Sequence, residues 1–109
     1  MLSDEVVSMY LEDFDAAGQR HAKALGELYT MEHMRPVVRA KLMNRSNQTS
    51  AAKQEAEALG NFEYEKHITS LAIAKEAEAR AKYEVERMRY RIELLRTREA
   101  SKRTEIKHL

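Results

Sequence analysis

The feature that most constrains this fold is an apolar stripe in the last third of the chain, with alternating steps of four and three residues. This spacing is that of a heptad seam, through which one long helix packs against another. Glu99 and Lys102 fill two polar positions within the stripe. Its apolar members are Ala81, Val85, Met88, Ile92, Leu95, Ile106 and Leu109. The pattern predicts a helix that is buried along one narrow face.

A second stripe with the same spacing lies in the first third of the chain and predicts a helix over residues 4–34. Ser3 is a suitable N-cap for it, and Asp4 and Glu5 would lie in the first turn, where the helix dipole favours acidic side chains. The members of this stripe are Val7, Tyr10, Phe14, Ala17, His21, Ala24, Leu28 and Met31.

The middle of the chain contains the signals that interrupt helices. Pro36 disfavours a helical conformation at the preceding residue, so the chain is predicted to kink there or to restart with a short helix over residues 36–43. Residues 44–50 are polar and turn-prone, and they predict a reversal of the chain. A long helix is predicted over residues 51–107, with a break at Gly60–Asn61 as an open alternative.

The early part of this long helix carries a less regular stripe. Its average step is near 3.4 residues, and its phase is irregular between Ile68 and Ala81. Looser contact or a change of partner is therefore expected there. The residues assigned to this part are Tyr64, Ile68, Leu71, Ala74, Ala77 and Ala81.

The composition agrees with an all-α fold in a single domain. Charged residues make up 34% of the 109 residues and aromatic residues only 6%, a profile typical of long helices. Two or three extended helices cannot close a globular core, so a homo-oligomer is expected. There is no cysteine, signal-peptide pattern or membrane-spanning apolar run, so the sequence predicts a cytoplasmic protein without a membrane partner.

The charges are arranged in alternating blocks. Residues 1–33 carry a net charge of −5 and residues 34–48 carry +4, whereas residues 49–86 carry −3 and residues 87–109 carry +5. A reversal near residues 44–50 would place each acidic block beside a basic one. The sequence therefore predicts a long antiparallel helical hairpin or coiled coil, in which complementary charge selects the orientation.

Motifs that carry chemistry are missing from the sequence. No Gly-rich phosphate loop or metal-ligand spacing is found, and the four histidines are scattered. We predict no enzyme activity, catalytic residue, cofactor or metal site, and assign the side chains of the two stripes to helix–helix interfaces. The predicted interface residues are Val7, Tyr10, Phe14, His21, Leu28, Met31, Val85, Met88, Ile92 and Leu95.

The basic C-terminal helix is open to two interpretations. Eight Lys or Arg residues fall within residues 87–107, and they could contact nucleic-acid phosphates. The favoured interpretation is that they are the flanks of a coiled coil, either solvated or matched to the acidic first helix. The residues predicted for nucleic-acid contact are Arg87, Arg89, Arg91, Arg96, Arg98, Lys102 and Arg103.

Residues 50–107 resemble short helical proteins of bacteriophages and prophages that are encoded near recombination and replication genes. The resemblance rests on an Ala/Glu-rich helix followed by the residues Leu95, Arg96, Thr97, Ala100 and Glu105. It implies a small accessory protein of the bacterial host cytoplasm, acting in DNA recombination or replication or in host takeover. A direct nucleic-acid-binding protein and a virion assembly or scaffolding protein are the two alternatives.

Overall fold

The computed structural model of the chain describes residues 3–108 and confirms the all-α prediction. Three helices, α1 (Asp4–Arg45), α2 (Ala51–Leu59) and α3 (Phe62–Lys107), make up 92% of the structure. No strand is formed by the residues that the structure describes. Leu109, the last predicted member of the C-terminal seam, lies outside them.

The structure corrects the predicted division of the first helix at Pro36. α1 continues through Pro36 to Arg45, so the expected helices over residues 4–34 and 36–43 are one helix. A proline inside a helix costs about 3 kcal/mol relative to alanine. The stripe of α1 nevertheless keeps its heptad phase beyond Met31, because Val38 is half-buried and Leu42 is buried. Burial on both sides of Pro36 offsets the missing hydrogen bond.

Polar side chains form the connections between the helices. Ser50 caps α2, since its Oγ accepts a hydrogen bond from the Lys53 amide at 3.2 Å. α2 ends at Gly60, and Asn61 then caps α3 by accepting a hydrogen bond from the Glu63 amide through its Oδ1 at 2.8 Å. The long predicted helix is therefore interrupted at Gly60–Asn61, the alternative that the sequence left open. Ser3 caps α1 in the same way as Ser50 caps α2.

The seam of α3 is regular where an irregular one was predicted. His67 and Glu78 are half-buried, whereas Ile68 and Ala77 are exposed. Ile68 and Ala77 were therefore assigned to the seam wrongly, because polar side chains occupy those seam positions, whereas the other four residues of the predicted stripe lie on it. The buried and half-buried positions of this series are Tyr64, His67, Leu71, Ala74, Glu78, Ala81, Val85, Met88, Ile92, Leu95 and Glu99.

The chain divides into two compact units, each containing parts of α1 and α3. Unit 2 comprises Ala24–Glu78 and includes α2. Its helices are joined by the ion pairs Arg39–Glu55 at 3.4 Å and Arg45–Glu63 at 3.1 Å. The buried side chains of unit 2 are Leu42, Ala58, Leu71 and Ala74.

Unit 1 comprises Met1–Lys23 and Ala79–Leu109. Within its described residues, only Ala17 and Met88 are buried. The guanidinium carbon of Arg91 lies 4.9 Å from the centre of the Tyr10 ring, within the range of a cation–π interaction. Unit 1 thus contains α1 and α3 segments in contact, with fewer buried side chains than unit 2.

Candidate functional site

A groove in unit 1 is the best candidate for a functional site. It has a volume of about 650 Å³ and lies between the first turns of α1 and the last third of α3. Both apolar and charged side chains line it. The lining residues are Val7, Tyr10, Leu11, Ile92, Glu93, Leu95, Arg96, Thr97, Glu99, Ala100 and Arg103.

The apolar floor of the groove follows from helical spacing. Val7 and Leu11 are one turn apart on α1, so their side chains lie on the same face of the helix. On α3, Ile92 and Leu95 are consecutive seam positions and are half-buried. In contrast, Val7 is 42% exposed and Leu11 is 54% exposed. The floor is therefore apolar surface that the chain covers only in part.

The groove is open where α3 loses its neighbour. Glu99 is the last half-buried position of the α3 seam, and residues 100–108 are all exposed. Lys102 and Ile106, which the sequence placed on the seam, are therefore exposed, and Ile106 is 58% accessible. The final turns of α3 present their seam side to solvent beside the groove.

Basic side chains line the α3 side of the groove. Arg96 and Arg103 are seven residues apart, and Arg89 continues the same line one heptad earlier. We call Arg89, Arg96 and Arg103 the basic row. Arg103 donates a hydrogen bond from Nε to the backbone carbonyl of Glu99 at 3.4 Å. Among the described residues, Arg96 forms no ion pair.

The seven residues predicted for nucleic-acid contact are all exposed, but they do not form one free patch. Arg87 is paired with Glu84 at 3.1 Å, and Arg91 lies over Tyr10. Arg96 and Arg103 line the groove. The remaining members of the set are Arg89, Arg98 and Lys102.

The ten predicted interface residues are covered to different degrees by the chain itself. Met88 is buried, and Val7 is exposed. The other eight are half-buried, and they are Tyr10, Phe14, His21, Leu28, Met31, Val85, Ile92 and Leu95. Part of each stripe is therefore used for packing within the chain, and the remainder stays accessible.

Sequence reasoning missed Leu11, although a signal for it was present. Leu11, Gly18 and Leu25 follow one another at seven-residue intervals directly beside the α1 stripe. Together with the stripe, they widen the apolar face of α1 to three of every seven positions, which is typical of helices in bundles. A heptad seam includes only two of every seven positions, so the predicted stripe did not include this third position.

Two classes of site are not formed by residues 3–108. No group of three His, Cys, Asp or Glu side chains within this range could hold a metal ion. None of the helices in the same range has an apolar stretch that is long enough to cross a membrane. The candidate site is therefore described by its apolar floor and its charged rim.

Comparisons with known proteins do not identify the site. The sequence matches no protein-family model, and no significant match to the chain is found among curated proteins or solved structures. The resemblance of residues 50–107 to phage and prophage proteins therefore stays a prediction.

Proposed function

We propose that this chain is a non-enzymatic accessory protein that acts through helix-mediated assembly and protein–protein interaction. One observation carries the proposal: the described residues include fifteen exposed large apolar side chains but only six buried apolar ones. Helices from another copy of the chain, or from another protein, would cover this apolar surface. Burial of apolar area is the main driving force of such association.

The proposed assembly unit is an antiparallel helical hairpin. Within unit 2, contacts between α1 and α3 support this orientation. The Met31 carbonyl accepts a hydrogen bond from His67 Nε2 at 2.9 Å, and further along α1, Arg45 pairs with Glu63. The partner residue number falls as the α1 residue number rises, as antiparallel pairing requires.

The flank of α1 supports assembly beyond the hairpin. Leu25 is 47% exposed, and a Cβ atom added at Gly18 would meet no atom within 4 Å. These two residues leave part of one side of the helix open. A homo-oligomer with the architecture of a helical bundle would bury this side.

The biological context is proposed from the resemblance alone. It is phage DNA recombination or replication, or host takeover, in the bacterial cytoplasm. A virion assembly or scaffolding protein remains an alternative, because such a role would use the same helix-mediated assembly.

The experiment that tests assembly is light scattering coupled to size exclusion, together with circular dichroism. We expect the wild-type chain to have the mass of an oligomer, and Leu25→Glu to shift the mass towards the monomer while the helix signal is retained. The matched control is Ala72→Glu, which introduces the same charge at an exposed position of α3 that is not one of the fifteen large apolar side chains. A monomeric, fully helical wild-type protein would overturn the self-association.

Direct nucleic-acid binding is kept as a second candidate because of two exposed tyrosines. Tyr83 is 64% exposed and Tyr90 is 68% exposed, and the two lie on one face of α3 at a spacing of seven residues. Bases could stack on such rings, with Arg87 between them. Labelled single-stranded and duplex DNA should then bind, with an affinity that falls steeply between about 50 and 200 mM salt. DNA binding that persists in Tyr83→Ala/Tyr90→Ala would exclude this face.

A further inference from the structure

We infer that the groove of unit 1 binds an amphipathic α-helix of a partner protein, with acidic side chains on the helix beside its apolar anchors. The inference rests on the proposed function and specifies the class of partner. An apolar floor with a charged rim is the arrangement by which grooves bind single helices in other proteins.

The floor supplies the apolar half of the recognition. Val7 and Leu11 on α1 face the cavity together with Ile92 and Leu95 on α3. The exposed area of Val7 and Leu11 is contiguous along one helical turn. Apolar side chains at positions i and i+3 or i+4 of a bound helix would cover this area.

The rim supplies the charged half of the recognition. Arg96 and Arg103 border the floor on the α3 side, and Lys107 follows Arg103 by one turn. The flank of α1 that contributes Leu11 to the groove carries uncharged residues at its next two heptad positions, Gly18 and Leu25. Asp4, one heptad before Leu11 on the same flank, is acidic, but within residues 3–108 it does not line the groove and forms no ion pair with the basic row.

Two acidic residues also line the groove, but they do not balance the rim. Glu99 is half-buried on the α3 seam and already interacts within the chain. Glu93 is exposed, and with Glu86 and Glu99 it makes three acids within one turn of the basic row, against the three arginines and Lys107. The net charge of this side of α3 remains positive, so carboxylates of a bound helix would meet complementary charge.

The charge and the apolar floor of the groove also disfavour two other occupants, which are a second copy of the chain and nucleic acid. In a two-fold dimer centred on the groove with its axis across the helices, the two basic rows would approach each other, which disfavours that arrangement. Nucleic acid would use the arginines but would leave Val7 and Leu11 uncovered. Tyr83 and Tyr90, which could stack with bases, lie on a different face of α3 from Arg96.

The test uses the full-length protein and two fluorescein-labelled synthetic helices. Both carry leucines at three- and four-residue spacing, with glutamates on the flanks of one and lysines on the flanks of the other. By fluorescence anisotropy, we expect the glutamate peptide to bind at least tenfold more tightly than the lysine peptide. The preference should weaken between about 50 and 200 mM salt, as expected for exposed charges.

Charge reversal should exchange the preference. Arg96→Glu/Arg103→Glu should weaken binding of the glutamate peptide at least tenfold and strengthen binding of the lysine peptide. The control Lys53→Glu/Lys66→Glu changes the net charge equally at exposed positions of unit 2 and should bind as the wild type does. Arg96→Gln/Arg103→Gln, a milder pair, should still lose most of the preference if the double reversal unfolds. Leu11→Asp should weaken binding of both peptides.

Several outcomes would overturn the inference while leaving the proposed function intact. Equal binding of both peptides, no binding of either, or equal losses in the control would show that the basic row does not select the partner. A change of oligomeric mass in Arg96→Glu/Arg103→Glu without peptide binding would assign the groove to a second copy. Binding of labelled DNA through Arg96 and Arg103, without peptide binding, would assign it to nucleic acid. A monomeric protein that binds the glutamate peptide would instead overturn self-association alone.

Discussion

The two compact units are built from the same two long helices, yet they use their side chains differently. Unit 2 contains four of the six buried side chains and two ion pairs between its helical segments. Ser46 also donates a hydrogen bond from Oγ to Glu57 Oε2 at 2.7 Å within it. Unit 1 contains two buried side chains, a cation–π contact and the open groove. Unit 2 is therefore held together by more contacts of its own, although eight of the fifteen exposed large apolar side chains also belong to it.

The two units also differ in the number of helical segments that they contain. The third segment, α2, lets unit 2 bury Ala58 against its neighbours. Unit 1 has only the two segments of α1 and α3, and a pair of helices cannot enclose its apolar faces completely. The third segment therefore adds buried contacts to unit 2, and the proposed binding groove lies in the unit without it.

The largest expected effect comes from truncation of the core of unit 2. Leu71 is 4% exposed, so Leu71→Ala should lower the free energy of unfolding by about 2–4 kcal/mol. Met88→Ala in unit 1, where the side chain is 9% exposed, should cost less, at about 2 kcal/mol. Urea unfolding followed by circular dichroism would measure both changes. A larger loss for Met88→Ala would contradict the assignment of stability to unit 2.

Replacement of the proline in α1 should raise the free energy of unfolding instead of lowering it. Pro36→Ala restores a backbone donor and relieves the clash with the preceding turn, so we expect the free energy of unfolding to rise by about 1–3 kcal/mol. The neighbouring Arg35→Ala, at an exposed position, should change it by less than about 0.5 kcal/mol.

Thermal melts of both variants would test the role of Pro36 in unit 2. A smaller cavity of about 250 Å³ lies beside Pro36 and Tyr64. Destabilisation by Pro36→Ala, with Arg35→Ala unchanged, would show that the ring contributes packing at this cavity. The stability of unit 2 would then depend on the proline instead of tolerating it.

The smallest of the three expected effects on stability comes from removal of a helix cap in each unit. Ser50→Ala removes the cap of α2, a helix of nine residues, and should cost about 1 kcal/mol. Ser3→Ala removes the cap of α1, a helix of 42 residues, and should cost only about 0.5 kcal/mol, because fraying of the first turn leaves the remaining turns intact. Chemical denaturation would measure both, and equal losses would mean that the length of the capped helix is irrelevant.

Local sequence signals predicted the cap of α1 at Ser3, but they did not predict that this helix continues through Pro36. Ser3 and Ser50 cap helices because their side chains satisfy backbone amides, an interaction that depends only on nearby residues. The break at Gly60–Asn61 was visible for the same reason. Pro36 was misinterpreted because its local cost is outweighed by burial at Leu42, and the heptad phase that continues through Val38 was the overlooked signal.

Features that depend on contact between distant segments were harder to predict. The α3 seam includes His67 and Glu78, which a search for apolar residues passes over. The groove exists because the seam side of α3 is uncovered beyond Glu99, and no residue pattern reveals where that cover ends. The cation–π contact of Arg91 with Tyr10 likewise depends on how far along α3 the start of α1 lies.

The hydrogen bond between His67 and Met31 has a consequence for the register of the helices. His67 reaches the backbone carbonyl of residue 31, and every amino acid supplies that acceptor. The bond is therefore independent of the side chain at position 31 and survives its substitution. A shift of α1 along α3 by one residue would move the carbonyl by about 1.5 Å along the helix and by about 100° around it. His67 therefore disfavours a shift of one residue, whereas a shift by a whole heptad would bring the carbonyl of another α1 residue close to the same place.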